Sequence, residues 1–153
     1  MTVAAIHQPQ YLPWAPLLAK AAGSDVWVHL DNVPFQKSGL QNRNRIKTAQ
    51  GPRWLTVPVH AGMHTLIKDV RIATPRFARD HVHTVRQSYA RAPFLGLFEE
   101  GLRLLLEKRF EFLVDLNLAV MNWMFEVLAI RCEQRLASEV AITAPKEILP
   151  VRV

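Results

Sequence analysis

Four pieces of chain in a fixed order limit what this sequence can fold into. They are an apolar run, TVAAIH, a loop stiffened by Pro9 and Pro13, a stretch of helix formers, APLLAKAAGS, and a second strand-like run, DVWVHL. Pro16 stands early in the helical stretch and Gly23 closes it, which are the helix positions that suit each residue best. A strand, a helix and a strand in such close succession join parallel neighbours, because a parallel pair needs a crossover of about a dozen residues or more. The expected fold class is therefore α/β, with a small parallel or mixed sheet that starts as a Rossmann-like βαβ unit and a helical second half. In DVWVHL, Val26, Val28 and Leu30 alternate with Trp27 and His29. RWLTVPV and LIKDVRI are further candidate strands, and Pro58 puts the first of them at a sheet edge or a strand end.

The texture changes near residue 75. FARDHVHTVRQSYARA runs to Pro93, and two long amphipathic stretches follow. Leu95, Phe98, Leu102 and Leu105 form one stripe, and Leu113, Leu116, Val120, Met124 and Val127 form another. Both are read as core faces. RLASEVAI is a candidate late strand, and the tail TAPKEILPVRV carries no period. The 153 residues suffice for one domain with a real core. The expected division is 1–75 in strands and loops, 76–132 in helices, and 133–153 in a short strand and tail. An exposed apolar patch or open sheet edge is expected near Leu136 to Ile142, and with it an oligomer or a chain poorly soluble alone.

Chemistry is concentrated near the N-terminus. No acidic residue occurs between Asn32 and Ile67, and the densest part reads QKSGLQNRNRIKTAQG. Lys37, Arg43, Arg45 and Lys47 are interleaved there with Gln36, Gln41, Asn42, Asn44 and Gln50. Guanidinium forks suit phosphate or carboxylate, and amides suit sugar hydroxyls or base edges. If extended, NRNR turns Asn42 and Asn44 to one side and Arg43 and Arg45 to the other, so one pair can hold the loop and the other a ligand. This basic loop follows Asp31 and Asn32 at the end of one strand, and His7 ends another. Ligands of open parallel sheets gather at such carboxyl ends. The formal charge of +6 favours anionic partners, nucleotides, phosphorylated sugars and nucleic acid among them.

Other chemistries are less supported. Six histidines and one cysteine give no ligand set with a metal's spacing, so neither a metal nor a cofactor is expected. Cys132, alone at a helix end, is read as a small packing residue more readily than as a nucleophile. The absence of disulfide pairing suits a reducing compartment, and no signal region or membrane span is evident, so the expected location is the cytoplasm. Asp115, Asn117, Asn122 and Glu126 interrupt the most apolar stretch.

HQPQYLPW, DVWVHLDNVPFQK, QNRNRIK and WLTVPV, in that order, resemble the successive signatures of the WbqC-like family, with SYARAPF and LVDLNLAVM further along. The resemblance covers roughly residues 3–132. It implies a role beside bacterial O-antigen and other surface-polysaccharide genes, with transfer of an acyl or amino-acyl group onto an amino sugar as one proposed activity. The chain departs from the pattern in APLL after LPW, in Pro34, in Phe77 where a Trp is frequent, and in its early end. A fainter likeness to Rossmann-like nucleotidylyltransferases extends to the fold alone, since their Gly-His pair is missing.

The resulting expectation is a transferase acting on a nucleotide-activated sugar or similar phosphorylated metabolite. His7 is the candidate general base, with a structural, loop-pinning histidine as the alternative. Asp31 would orient His7 or the acceptor. Gln8, Gln10, Tyr11, Asn32, Lys37, Asn42, Arg43, Asn44, Arg45 and Lys47 are the candidate binding residues, although Tyr11 and Trp14 also read as packing residues. The rival is a non-catalytic nucleic-acid- or protein-binding module that uses the same NRNR segment.

Overall fold

The computed structural model describes residues 1–140. Strand β1 (Ala4–His7) leads through the proline loop into helix α1 (Ala15–Ala22) and then strand β2 (Val26–His29). The two strands pair in parallel, with Ala5 opposite Trp27 and His7 opposite His29. Pro16 lies in the first turn of α1, and the Gly23 amide caps its end by donating to the Ala19 and Ala21 carbonyls. The βαβ start is thus built as its turn chemistry requires.

A third strand, β7 (Glu133–Leu136), arrives from the far end of the chain and pairs in parallel with the other side of β2. The sheet order is β1-β2-β7. As the central strand, β2 buries Trp27, Val28 and His29, so both of its faces are covered. The expected late strand lies earlier than RLASEVAI suggested, and residues 137–140 form a turn. Asp31 contributes to that stop, because its carboxylate accepts hydrogen bonds from the Ser138 backbone N–H and hydroxyl. Ala141, Ile142 and the tail lie outside the described residues. Among the described residues, β7 is an edge strand.

The basic segment is a hairpin strand and not a loop. β3 (Arg43–Thr48) pairs antiparallel with β4 (Gly51–Thr56), Arg45 facing Trp54. The turn needs Gly51, whose φ is +104°. Strands β5 (Val59–His60) and β6 (Arg71–Ile72) make a second small antiparallel pair. LIKDVRI is therefore only partly a strand, since Ile67–Asp69 forms a 3₁₀ turn ahead of β6. That turn buries Ile67 and Val70 and hangs on Val33 and Asp31, whose carbonyls accept from the Ile67 and Lys68 amides.

Helices α2 (Phe77–Tyr89), α3 (Leu95–Glu107) and α4 (Leu113–Val127) complete the chain up to β7. Leu102, Leu105, Leu113, Leu116 and Val120 enter one core cluster with Tyr11, Leu55, Val57 and Val70. A second cluster joins Ala5, Leu17, Ala21 and Trp27 to Met121 and Phe125 of α4. The apolar face of α4 therefore bridges the two clusters. Val127, expected on the core stripe, is exposed, because the helix ends there and turns away at Leu128. Burial of a single leucine at such positions contributes about 1.5–3 kcal/mol.

Candidate functional site

Two strand ends set the position of the candidate chemistry. His7 ends β1, and its Nδ1 lies 2.9 Å from the Gln8 backbone carbonyl. A carbonyl only accepts, so Nδ1 carries the proton and Nε2 keeps its lone pair in the neutral ring. The ring is half-buried and stacks on Trp27, with centroids 6.1 Å apart. The imidazole is therefore held from one side by its own backbone and from the other by a buried indole, with Nε2 left as the basic atom.

His29, at the end of β2 and directly opposite His7, is not among the residues expected from the sequence. It is buried, and burial pushes its pKa down, with Asp31 opposing that effect. Its Nε2 lies 2.8 Å from Gln134 Oε1 on β7, and the Gln134 amide donates to Asn122 Oδ1 on α4. That chain of amides makes His29 Nε2 the protonated nitrogen. Its Nδ1 is buried without a partner. The signal for His29 lay in VHLD, a histidine two residues before an acid at a strand end.

Asp31 is also buried, and its carboxylate is taken up by Ser138. The structure brings Asp31 and His7 to the same end of the sheet, but no hydrogen bond joins them. Asn32 Oδ1 and Gln10 Oε1 are buried acceptors without partners. Lys37 is exposed on the turn-rich segment ahead of β3.

The opening loop and the hairpin are tied together. The Tyr11 backbone N–H donates to the Leu40 carbonyl, and Gln41 Nε2 donates to Gln8 Oε1 at 2.8 Å. Asn44 Nδ2 donates to the Leu12 carbonyl at 2.8 Å, and Asn42 Nδ2 to the Val57 carbonyl at 2.9 Å. Asn117 of α4 reaches in to donate to the Gln41 carbonyl. The amides of NRNR thus brace the chain.

The cations stand on the other side, as an extended strand requires. The Arg43 and Arg45 guanidiniums lie 4.4 and 5.2 Å from the Trp54 ring centroid. Arg43 is half-buried and donates to the Ser38 carbonyl, while Arg45 and Lys47 are exposed. Trp14, Asn44, Arg45, Lys47, Thr48 and Trp54 line a groove of about 770 Å³. Trp14 and Trp54 are 57% and 43% exposed, unusually open for tryptophan. His7 and Asp31 line none of the four grooves on the described surface that include this one. The groove and the histidines are neighbours through the braced loop and do not share one deep cavity.

Tyr11 is fully buried, and its hydroxyl lies 2.9 Å from His81 Nδ1. Burial raises the phenol's pKa, so it stays protonated and donates to His81. His81 is in turn pushed down to about 4 by burial. This pair anchors the stiff loop on α2.

The signatures of the chain match the WbqC-like protein family over residues 8–151. The chain belongs to that family. It is 31% identical over 133 residues to the uncharacterized protein Rv1507c of Mycobacterium tuberculosis, a match covering 85% of this chain. This WbqC-like chain spans 58% of that relative's length. No solved structure matches it. Among the described residues, no helix is long and apolar enough to cross a membrane, and no cluster of three or more potential metal ligands occurs.

Proposed function

We propose that the chain is a group transferase that uses a nucleotide-activated sugar or a similar phosphorylated metabolite, with acyl or amino-acyl transfer in surface-polysaccharide synthesis as the specific activity. One observation carries this reading. Two exposed indoles, Trp14 and Trp54, flank a groove that also holds Arg45 and Lys47, and Asn44 of that groove is bonded to the loop leading from His7. An indole face stacks on a nucleobase, and the two cations meet a diphosphate. Tyr11 and Gln8 hold the loop in place.

His7 is the base of the transfer. As the acceptor's amine or hydroxyl attacks the activated carbonyl carbon, Nε2 takes its proton and the donor's leaving group departs. Asp31 braces the strand end through Ser138 and lies near the buried His29, whose pKa responds to both Asp31 and His7. A thermal-shift series with uridine, guanosine and thymidine diphosphate sugars tests this reading. Stabilisation by one nucleotide class is expected, and none by the free sugars. No response to any of them contradicts the reading.

The open hairpin face favours a second reading. Trp54, Arg45 and Lys47 are exposed on one face of the β3–β4 hairpin, an arrangement that also suits a single-stranded nucleic acid. A salt-dependent interaction with an oligonucleotide, without a mononucleotide response, would support that module instead.

A further inference from the structure

A second groove, of about 680 Å³, runs along the seam of α2 and α3, with His83 in its lining and His7 and His29 outside it. The start of α2 lies across from the end of α3, and Arg86 of α2 pairs with Glu99 of α3, so the two helices run antiparallel. Ala78, Val82 and Leu106 provide an apolar floor, and all three belong to the core cluster or pack against it. Arg76, Arg79 and Arg109 stand at the open end of the helical hairpin. Phe77 and His81, on another face of α2, pack on Tyr11, so this groove is separate from the Trp14–Trp54 groove.

The arginines lining the groove differ in their partners. Arg86 is paired with Glu99, and Arg103 with Glu100 and Glu107. Arg76, Arg79 and Arg109 have no ion-pair partner among the described residues. Arg76 caps α2 and Arg79 is in its first turn, where a helix dipole disfavours cations. All three line this end of the groove, with Glu107 beside them held by Arg103 and Asp80 as the first turn's acidic residue. An anion lying between them would relieve their repulsion, and the apolar seam beyond them has room for a hydrocarbon body.

We infer that the α2–α3 groove binds a small anionic amphiphile, with its phosphate or carboxylate on Arg76, Arg79 and Arg109 and its apolar part along Ala78, Val82 and Leu106. Head and body are both needed. The guanidiniums fix the anion bidentately, and the seam discriminates by apolar area.

Calorimetric titration of the full chain with n-octyl phosphate, well below its micellar range, tests this. The expected result is saturable one-to-one binding, with n-octyl glucoside and inorganic phosphate each binding at least about ten-fold more weakly, since each lacks half of the interaction. The variant R76Q/R79Q/R109Q should lose about ten-fold or more of the octyl phosphate affinity while keeping the wild-type melting profile. Arg45→Gln should leave this titration unchanged, which separates the groove from the nucleotide reading. Equal binding of octyl glucoside, equal binding of inorganic phosphate, or an unaltered titration in the folded triple variant overturns the inference. So does a failure of octyl phosphate to bind, whether or not an acidic amphipathic peptide does. If the triple variant unfolds, Arg79→Gln alone serves, and unchanged affinity there has the same meaning.

Discussion

Asn44 donates from its side-chain amide to the backbone carbonyl of Leu12 at 2.8 Å, so a strand of the basic hairpin holds the loop that leads from His7. Leu12 adopts a positive φ of 45°, an uncommon conformation for a leucine, and the bond helps to keep it there. Asn44→Ala should cost roughly 1–2 kcal/mol of stability, because it leaves a partly buried carbonyl unpaired. Nucleotide binding should weaken with it as the loop loosens. Urea denaturation and ligand titration of the same variant check both effects, and unchanged values in both would mean that the bond holds nothing.

The two arginines of NRNR should separate on mutation. Arg43 is half-buried and bonded to Ser38, whereas Arg45 and Lys47 are exposed in the Trp14–Trp54 groove. Arg45→Gln with Lys47→Gln should leave stability within about 0.5 kcal/mol of wild type and weaken a phosphorylated ligand by roughly 1.5–3 kcal/mol per lost contact. Arg43→Gln should act mainly on stability. The opposite pattern in melts and titrations would remove Arg45 from the binding residues.

His81 supplies a pH dependence with a definite sign. Burial pushes its pKa down to about 4, below the ordinary value near 6.5, so the unfolded chain binds a proton that the folded chain refuses. Its contribution to stability is complete above about pH 6.5, falls as the pH drops towards 4, and changes little below that. At most about 3 kcal/mol is involved. His81→Gln can still accept from Tyr11 and does not titrate, so denaturant midpoints of this variant should lose the part of the acid slope between those limits. An identical slope in both proteins would assign it to other groups.

Cys132 should be inert. Burial raises its thiol pKa, and Asp25 and Glu133 add to that effect, so the nucleophilic thiolate is scarce at neutral pH. Cys132→Ser should change neither the melting profile nor ligand binding. Stoichiometric labelling that abolishes binding would show otherwise.

Much of the architecture was legible where local chemistry and tertiary structure agree. Pro16 and Gly23 bound α1, and the helical periods of the second half became core faces. The amide and guanidinium sides of NRNR also follow from strand geometry, although the segment reads as a loop in the sequence. Its alternation was masked by polar residues on both faces, since the inward ones are amides satisfied by carbonyls far along the chain. The return of β7 to pair with β2 over a separation of about a hundred residues left no local mark. His29 was missed for a related reason, since its burial depends on Gln134, which β7 delivers. The end of β7 depends in turn on Asp31 taking hold of Ser138, a contact that no period in RLASEVAI announces.

A nucleotide occupying the groove between Trp14 and Trp54, beside the His7 loop, is the proposed ligand of this chain. Calorimetric titration of the wild-type chain and of Trp54→Ala with the diphosphate sugar that gives the largest thermal shift measures this. Saturable one-to-one binding is predicted for the wild type, with a loss of roughly 1–3 kcal/mol in the variant as the stacking face is removed. No binding to the wild type, or equal affinity in a folded Trp54→Ala protein, would mean that the groove is not a nucleotide site.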